Sequence, residues 1–487
     1  MNVASRIIKN SSLLIIASLI NNLMTFILTL FTARYLGTYN FGLISSATSL
    51  VGIFEIFTDM GLATFAIREV SRDKTLTSRY FGTVFFLRVI FSVVTFIAYT
   101  LVVLLSHTFT PEGIDVMIIF GVYMIFNSLT LCNYSLFQSN EKMQYQTIGN
   151  VIYSASVLAI ILLIIFNGGN VIIVSLAYPI AIILSFSYTV YIAIKHYPKL
   201  SLCLERAFLK KLITKGVPFG ISYVFTSIYF WIALTILTFM SGSVAVGLFS
   251  ASQKLLLVIA AMITLISNSI FPVMSELFTK DKLKLADLYH KLMKYMLIIS
   301  MPIVLGCVIF SHDIIYIIYG ASYTQGSNAL SILIWAGIFL FLSNISTTLL
   351  GAINRQFTVT KIVAIGAFVS IILNVILIKF YSYIGASIST VCIEALILSL
   401  TLYALSKTDY SLHMKSMIKP VTQVIIANLI MVIAIYVLHL PFIVTVPIAA
   451  LVYIIALFIT GSIDQEDRKI LYGFIEDMKK EKIHKTR

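Results

Sequence analysis

Charge is the scarcest feature of this chain. Only 11% of its 487 residues are Asp, Glu, Lys or Arg, where a water-soluble domain carries about 25%. With 59% hydrophobic residues and a mean hydropathy of +1.00, a soluble globular protein is excluded and a polytopic membrane protein is required. Cysteine is nearly absent. Cys132, Cys203, Cys307 and Cys392 stand far apart, which excludes a disulfide scaffold and any Cys-x-x-Cys redox or metal site. Three read as small apolar residues in or near helices, and Cys203 as a cytoplasmic thiol. The seven histidines form no ligand pattern. No Gly-rich phosphate loop with its lysine is present, so ATP hydrolysis by this chain is not expected.

What is present is a succession of apolar runs. Fourteen spans follow, near 10–33, 42–64, 81–105, 114–137, 147–167, 170–193, 215–240, 244–273, 288–310, 326–351, 358–380, 384–405, 418–438 and 442–461. Arg6 and Lys9 before the first run imitate a signal peptide, but the run is too long for one and counts as helix one. Of 34 cations, 30 fall on one side of this arrangement; Arg34 and Lys379 fall on the other, and Arg88 and Lys254 lie within spans. Cytoplasmic loops collect Lys and Arg, so both termini are expected inside. The net charge of +14 is then a topology signal beside anionic lipid, with no need of nucleic acid. After Ser462-Ile-Asp-Gln465, a weak capping box, Ile470, Leu471, Phe474, Ile475 and Met478 share a helical face, predicting an interfacial helix.

The chain repeats itself. Gly37, Gly42, Leu43, Ser45 and Leu50 recur 205 positions later as Gly242, Gly247, Leu248, Ser250 and Leu255, and Asn140-Glu-Lys-Met answers Asn354-Arg-Gln-Phe at 214. An even helix number per copy keeps both copies parallel. The expected division is residues 1–205 and 206–410 as two six-helix lobes, 411–461 as an extra hairpin and 462–487 as a cytoplasmic tail.

The charges left inside the membrane are the candidate site. One at mid-bilayer costs roughly 2.5–3.5 kcal/mol on insertion scales. Lys254 either faces a wet cavity and an anion, snorkels, or pairs with an acid; Glu394 is its one candidate partner in the second half. Glu55 and Asp59 lie four apart on one helix, and Arg88 on the next could meet them, as a structural ion pair or as a charged lining. Arg34 at the outer end of helix one and Arg355 at the inner end of helix ten either snorkel or handle an anionic head group. Gly216-Val-Pro-Phe-Gly220 is a plausible bending point, and Pro272, Pro302 and Pro447 read as helix starts or interruptions. Tyr153, Tyr223, Tyr229 and Trp231 are polar aromatics able to stack on sugars, or to pack.

Ala33-Arg-Tyr-Leu-Gly-Thr-Tyr-Asn-Phe-Gly42, Asp59-Met-Gly-Leu running to Ile67-Arg-Glu-Val-Ser71, Gly216–Gly220 and Val246-Gly-Leu-Phe-Ser-Ala-Ser-Gln-Lys254, ending at Phe271-Pro272, carry a resemblance. Along essentially its whole length the chain resembles the Wzx-type polysaccharide repeat-unit flippases, relatives of the lipid II flippases and the MATE exporters. The resemblance implies an all-α, MATE-like fold: two six-helix lobes around a central cavity, plus a helix pair. It implies translocation of an undecaprenyl-diphosphate-linked oligosaccharide across the bacterial plasma membrane for O-antigen or capsule assembly. A polysaccharide polymerase and a chain-length regulator are candidate partners. Lys254, Arg88, Arg34 and Arg355 are the candidate substrate ligands. Glu55, Asp59 and Glu394 are the candidates for H+ or Na+ coupling, with no other cofactor. A cation-coupled drug exporter would be expected to carry acids in spans one or seven, and none is there. A polymerase or ligase enzyme would need a sizeable outer loop, and the outer loops are tiny.

Overall fold

A computed structural model describes residues 3–197, 200–412, 414–438 and 440–462. The interfacial helix expected near residues 470–478 lies outside the described residues. Fifteen helices run in order among them: α1 (Val3–Phe54), α2 (Ile56–Asp59), α3 (Leu62–Arg72), α4 (Thr77–Leu105), α5 (Pro111–Ser139), α6 (Met143–Phe166), α7 (Val171–His196), α8 (Arg206–Lys280), α9 (Lys282–Ile309), α10 (Ser311–Tyr319), α11 (Gly326–Leu333), α12 (Ala336–Ala352), α13 (Gln356–Ser406), α14 (Met414–Leu438) and α15 (Phe442–Ile459). Among the described residues, eleven stretches are long and apolar enough to cross a membrane, and the chain is a multi-pass membrane protein. Their outer faces leave side chains such as Phe166, Leu105 and Phe380 at 84%, 72% and 70% exposure, which only lipid could cover at this density.

Three helices are too long for one crossing. At 1.5 Å per residue, the 75 residues of α8 would reach about 110 Å against a ~30 Å hydrocarbon core. Each of the three is broken at one residue: α1 at Gly37 (φ 73°), α8 at Gly242 (φ 77°) and α13 at Ser382 (φ 51°). Positive φ reverses the chain direction, and glycine adopts it without a Cβ clash. Divided there, the eleven stretches become fourteen segments.

The two glycine breaks are 205 residues apart and share one conformation, with ψ of 177° and 176°. Beyond them the halves meet reciprocally. A Cβ on Gly42 would lie 1.8 Å from the Ser243 carbonyl oxygen, and a Cβ on Gly247 would lie 2.1 Å from that of Thr38. Thr38 and Ser243 are also 205 apart. Ser45 Oγ donates to Ser250 Oγ at 2.9 Å, joining two equivalent positions directly. Such self-complementary pairing is what a two-fold axis produces. The repeat legible in the sequence is therefore a pseudo-two-fold contact at the end bearing the breaks.

Further along, the offset shifts. Lys142 N donates to Phe137 O, and Arg355 N to Leu350 O, each at 2.8 Å; Glu141 and Asn354 both take positive φ. These turns match at 213, so Glu141, and not Asn140, is the equivalent of Asn354. A polar residue in a turn is a poorer register marker than the turn's own hydrogen bonds.

Two further expectations are corrected. The span expected at 42–64 is interrupted: α1 stops at Phe54, α2 has 4 residues, and Met60 and Gly61 take left-handed φ before α3 turns away. The segment around Pro218 is helical, and its glycines serve close packing: Cβ atoms on Gly61 and Gly220 would meet Gly220 N at 2.3 Å and Met60 O at 2.6 Å. Pro272, Pro302 and Pro447 lie inside α8, α9 and α15.

Buried apolar side chains gather in separate cores. One draws on Ala233 to Tyr410 together with Ala33 and Phe41. Two more are built from residues between Leu28 and Leu212. The α14–α15 pair has its own small core and leans on α9, where Tyr453 Oη donates to Ile298 O at 2.8 Å.

Candidate functional site

Between the halves lies a cavity of about 220 Å3, walled by both segments of α1, by α6 and α7, and by both segments of α8. Lys254 lines it, with Thr25, Thr29, Thr32, Tyr153, Trp231 and Gln253 among its neighbours. No carboxylate is in the lining, and no ion pair holds Lys254 among the described residues. Its ammonium is thus a free charge in an enclosed space, and desolvation strengthens its attraction for an anion.

Glu394 does not pair with it. The Glu394 side chain is buried in a neighbouring cavity of about 140 Å3, which shares Phe230, Gln253 and Leu257 with the first. Tyr229 Oη donates to Glu394 Oε1, and Oε2 has no partner. Gln253 and Leu257, on the second segment of α8, line both cavities, whereas Lys254 lines only the first and Glu394 only the second.

Arg88 and Asp59 do meet. Nη2 and Nε of Arg88 reach Asp59 Oδ1 at 2.5 and 2.9 Å, and Nη1 donates to Ser128 O at 2.5 Å. The guanidinium is buried. Asp59 Oδ1 also accepts from Ala63 N at 3.0 Å, capping the start of α3. The pair thus pins the break in the second span to α4 and α5. Glu55, at that same break, accepts from Asn127 Nδ2 of α5 at 2.5 Å.

The remaining two cations lie elsewhere. Arg34 donates to the carbonyls of Ile317 and Ile318 at the end of α10, from Nε at 2.7 Å to the latter. Beside it Tyr323 Oη donates to Ala33 O at 3.0 Å. Both contacts tie the first half to the second, at the end bearing the glycine breaks. Arg355 is exposed in the turn before α13. Of the four cations, Lys254 alone lines the cavity.

Residue-by-residue reading missed the threonine face. Thr25, Thr29 and Thr32 stand at i, i+4 and i+7 on α1 and all line the cavity; that spacing was present in the sequence as a polar stripe on an apolar helix.

This fold is shared with solved transporters. The lipid II flippase MurJ in an inward closed conformation superposes with a TM-score of 0.76 over 92% of this chain and 98% of that one, at 16% identity. The class of fold is therefore the paired helical halves of that protein. Within it, the chain belongs to the polysaccharide biosynthesis protein family, whose model matches residues 7–278. A putative O-antigen transporter of Escherichia coli is 22% identical over 380 residues, 76% of this chain and 90% of that protein. An uncharacterized membrane protein of Methanocaldococcus jannaschii is 28% identical over 246 residues. The matched stretch spans about half of that archaeal relative, 48%, and 49% of this chain.

Proposed function

We propose that this protein carries a lipid-linked oligosaccharide, joined to its lipid by a diphosphate, from the inner to the outer leaflet of the plasma membrane. The observation that carries the reading is Lys254: an unpaired cation in an acid-free cavity between two symmetric halves. A diphosphate cannot enter hydrocarbon uncompensated, and a desolvated lysine supplies compensation where the crossing is hardest. The lipid tail stays in the bilayer while the head group passes between lobes 1–205 and 206–410, which rock about the pseudo-two-fold axis. The concentration of Lys and Arg at one end supports an inside location for that end and for both termini. Fourteen crossings follow from dividing the three broken helices. Glu394, with one oxygen unpartnered, is the best placed of the three acids to carry a coupling cation or proton. Asp59 is held by Arg88, and Glu55 by Asn127. A polymerase that consumes the flipped unit is the natural partner.

Replacing Lys254 tests this directly. A charge-assisted hydrogen bond contributes about 1.5–3 kcal/mol, so Lys254→Gln is expected to weaken head-group binding roughly 10- to 150-fold and to slow surface-polysaccharide export, with Lys254→Arg partly active. Export by Lys254→Gln at the parental rate, with equal protein in the membrane, would overturn the assignment.

A further inference from the structure

The cavity that holds Lys254 and the one that holds Glu394 share a wall of Phe230, Gln253 and Leu257. Phe230 and Leu257 are apolar and cannot answer a charge on either side. Gln253 can, because its amide carries two N–H donors and an acceptor oxygen. Among the described residues no hydrogen bond holds that amide. The other polar side chains around Glu394 are engaged. Tyr229 donates to Oε1, Thr390 Oγ1 donates to Ala386 O at 2.9 Å, and Ser370 Oγ accepts from Asn374 Nδ2 at 3.1 Å. Glu394 Oε2 is nevertheless buried without a partner. A buried carboxylate oxygen with no donor is costly, and Gln253 brings an unengaged one to its cavity. On the Lys254 side, Thr25, Thr29 and Thr48 donate to carbonyls of their own helix, each at 2.8 Å, and offer an anion only lone pairs. Gln253 adds N–H donors beside the ammonium there. The repeat supplies a contrast. The equivalent of Gln253 in the first half, 205 positions earlier, is Thr48, whose proton stays on its own helix. The free amide belongs to one half alone.

We propose that Gln253 links the two cavities: its amide donates to Glu394 Oε2 while that carboxylate is charged, and turns to the head-group phosphate once the charge is neutralised. The inference rests on the diphosphate reading above. One amide nitrogen cannot serve both cavities at once, so the two acceptors compete for it. The competition fixes the sign of the coupling. Neutralising Glu394 tightens the hold on an anion beside Lys254. The bound anion, by drawing the amide away, makes Glu394 easier to neutralise by the same factor. The link is one side chain and needs no movement of either lobe. The charge on Glu394 also opposes an anion through space, and that part alone survives loss of the amide.

The test measures the dissociation constant of a short-chain polyprenyl diphosphate for the full-length protein in lipid nanodiscs. Four forms are compared: wild type, Glu394→Gln, Gln253→Met and the double variant. Glu394→Gln keeps an acceptor for Tyr229 but exchanges a charged partner of Gln253 for a neutral one, and is expected to tighten binding about 5-fold. Methionine is as long and flexible as glutamine but has no donor. In the Gln253→Met background, Glu394→Gln should therefore leave the constant almost unchanged. Gln253→Asn, with the amide on a shorter stem, should restore part of the tightening, which a purely structural role for Gln253 would not do. Gln253→Leu serves if Gln253→Met does not fold. Tightening of the same size with and without the amide overturns Gln253 as the link and leaves only the through-space effect. No tightening by Glu394→Gln alone overturns the linkage altogether. Binding by Lys254→Gln as tight as the wild type overturns the diphosphate reading instead.

Discussion

Adding one methyl group at the pseudo-two-fold contact should loosen the whole end of the protein that bears the glycine breaks. In Gly42→Ala the new Cβ starts 1.8 Å from the Ser243 carbonyl oxygen, and in Gly247→Ala 2.1 Å from that of Thr38, where ordinary contact begins at 3.4 Å. Both obstacles are backbone, so no side chain can swing away. The two second segments must part by about 1.6 Å in the first variant and 1.3 Å in the second. The Ser45–Ser250 bond, now 2.9 Å, then exceeds hydrogen-bond length. Overpacking costs about 1–3 kcal/mol and the lost bond about 1 kcal/mol. A total near 3 kcal/mol shifts a closed-to-open equilibrium roughly 100-fold. The assay replaces the four native cysteines with alanine and places a reporter at Ser46→Cys, a position 0% exposed that leaves the Ser45–Ser250 bond in place. A membrane-impermeant thiol reagent added from the outside should label the reporter slowly alone and much faster with either alanine present. The two alanines should act alike, because each occupies the same place in its own half. If neither raises labelling, or if only one does, the symmetric seal is refuted.

Other expectations follow from the same geometry. Ser45→Cys with Ser250→Cys should form a disulfide under mild oxidation, stop export, and release it on reduction; export that continues with the bond formed would exclude opening at this contact. Arg88→Gln leaves the half-buried Asp59 without its cation and should cost about 3 kcal/mol, much more than Arg88→Gln costs when Asp59→Asn is already present; a double-mutant cycle by thermal melting checks this. Glu394→Gln should keep the Tyr229 contact and normal melting while abolishing any dependence of export on an imposed ion gradient; export by this variant that still follows the gradient removes Glu394 from coupling. At the turn before α9, Asp281 accepts from Lys284 N at 3.0 Å, and that backbone bond holds its carboxyl below the usual aspartate range. The cap stabilises above that range and weakens as pH falls through the lowered value, so Asp281→Asn should flatten the acid limb of the melting profile.

Much of the architecture was legible residue by residue. Apolar runs separated by basic turns marked the helices, since a bilayer imposes one length and one dielectric on every span. The glycine pattern at 37 and 42, returning at 242 and 247, marked the repeat. The interruption at Glu55 to Gly61 was hidden, because the Arg88–Asp59 pair that pins it reaches in from α4. Gly216 and Gly220 read in the sequence as a bending point; only the tertiary structure shows that Met60 and Gly61 pack against them. The Lys254–Glu394 question had the same character. Both residues sit in the second half, and only the tertiary structure places them in different cavities.

Alone, the order of residues determined that the chain lives in a membrane, where its helices run, that its two halves are copies, and which few charges resist burial. These are properties of local composition and periodicity, which hydrocarbon reads without reference to distant neighbours. Tertiary structure decided which charges are spent and which are free. Arg34 closes the end of α10, Arg88 holds Asp59, and Lys254 is left facing a hollow. That allocation depends on which helix faces oppose each other across the two-fold axis, a relation between residues some two hundred positions apart that no window along the chain contains.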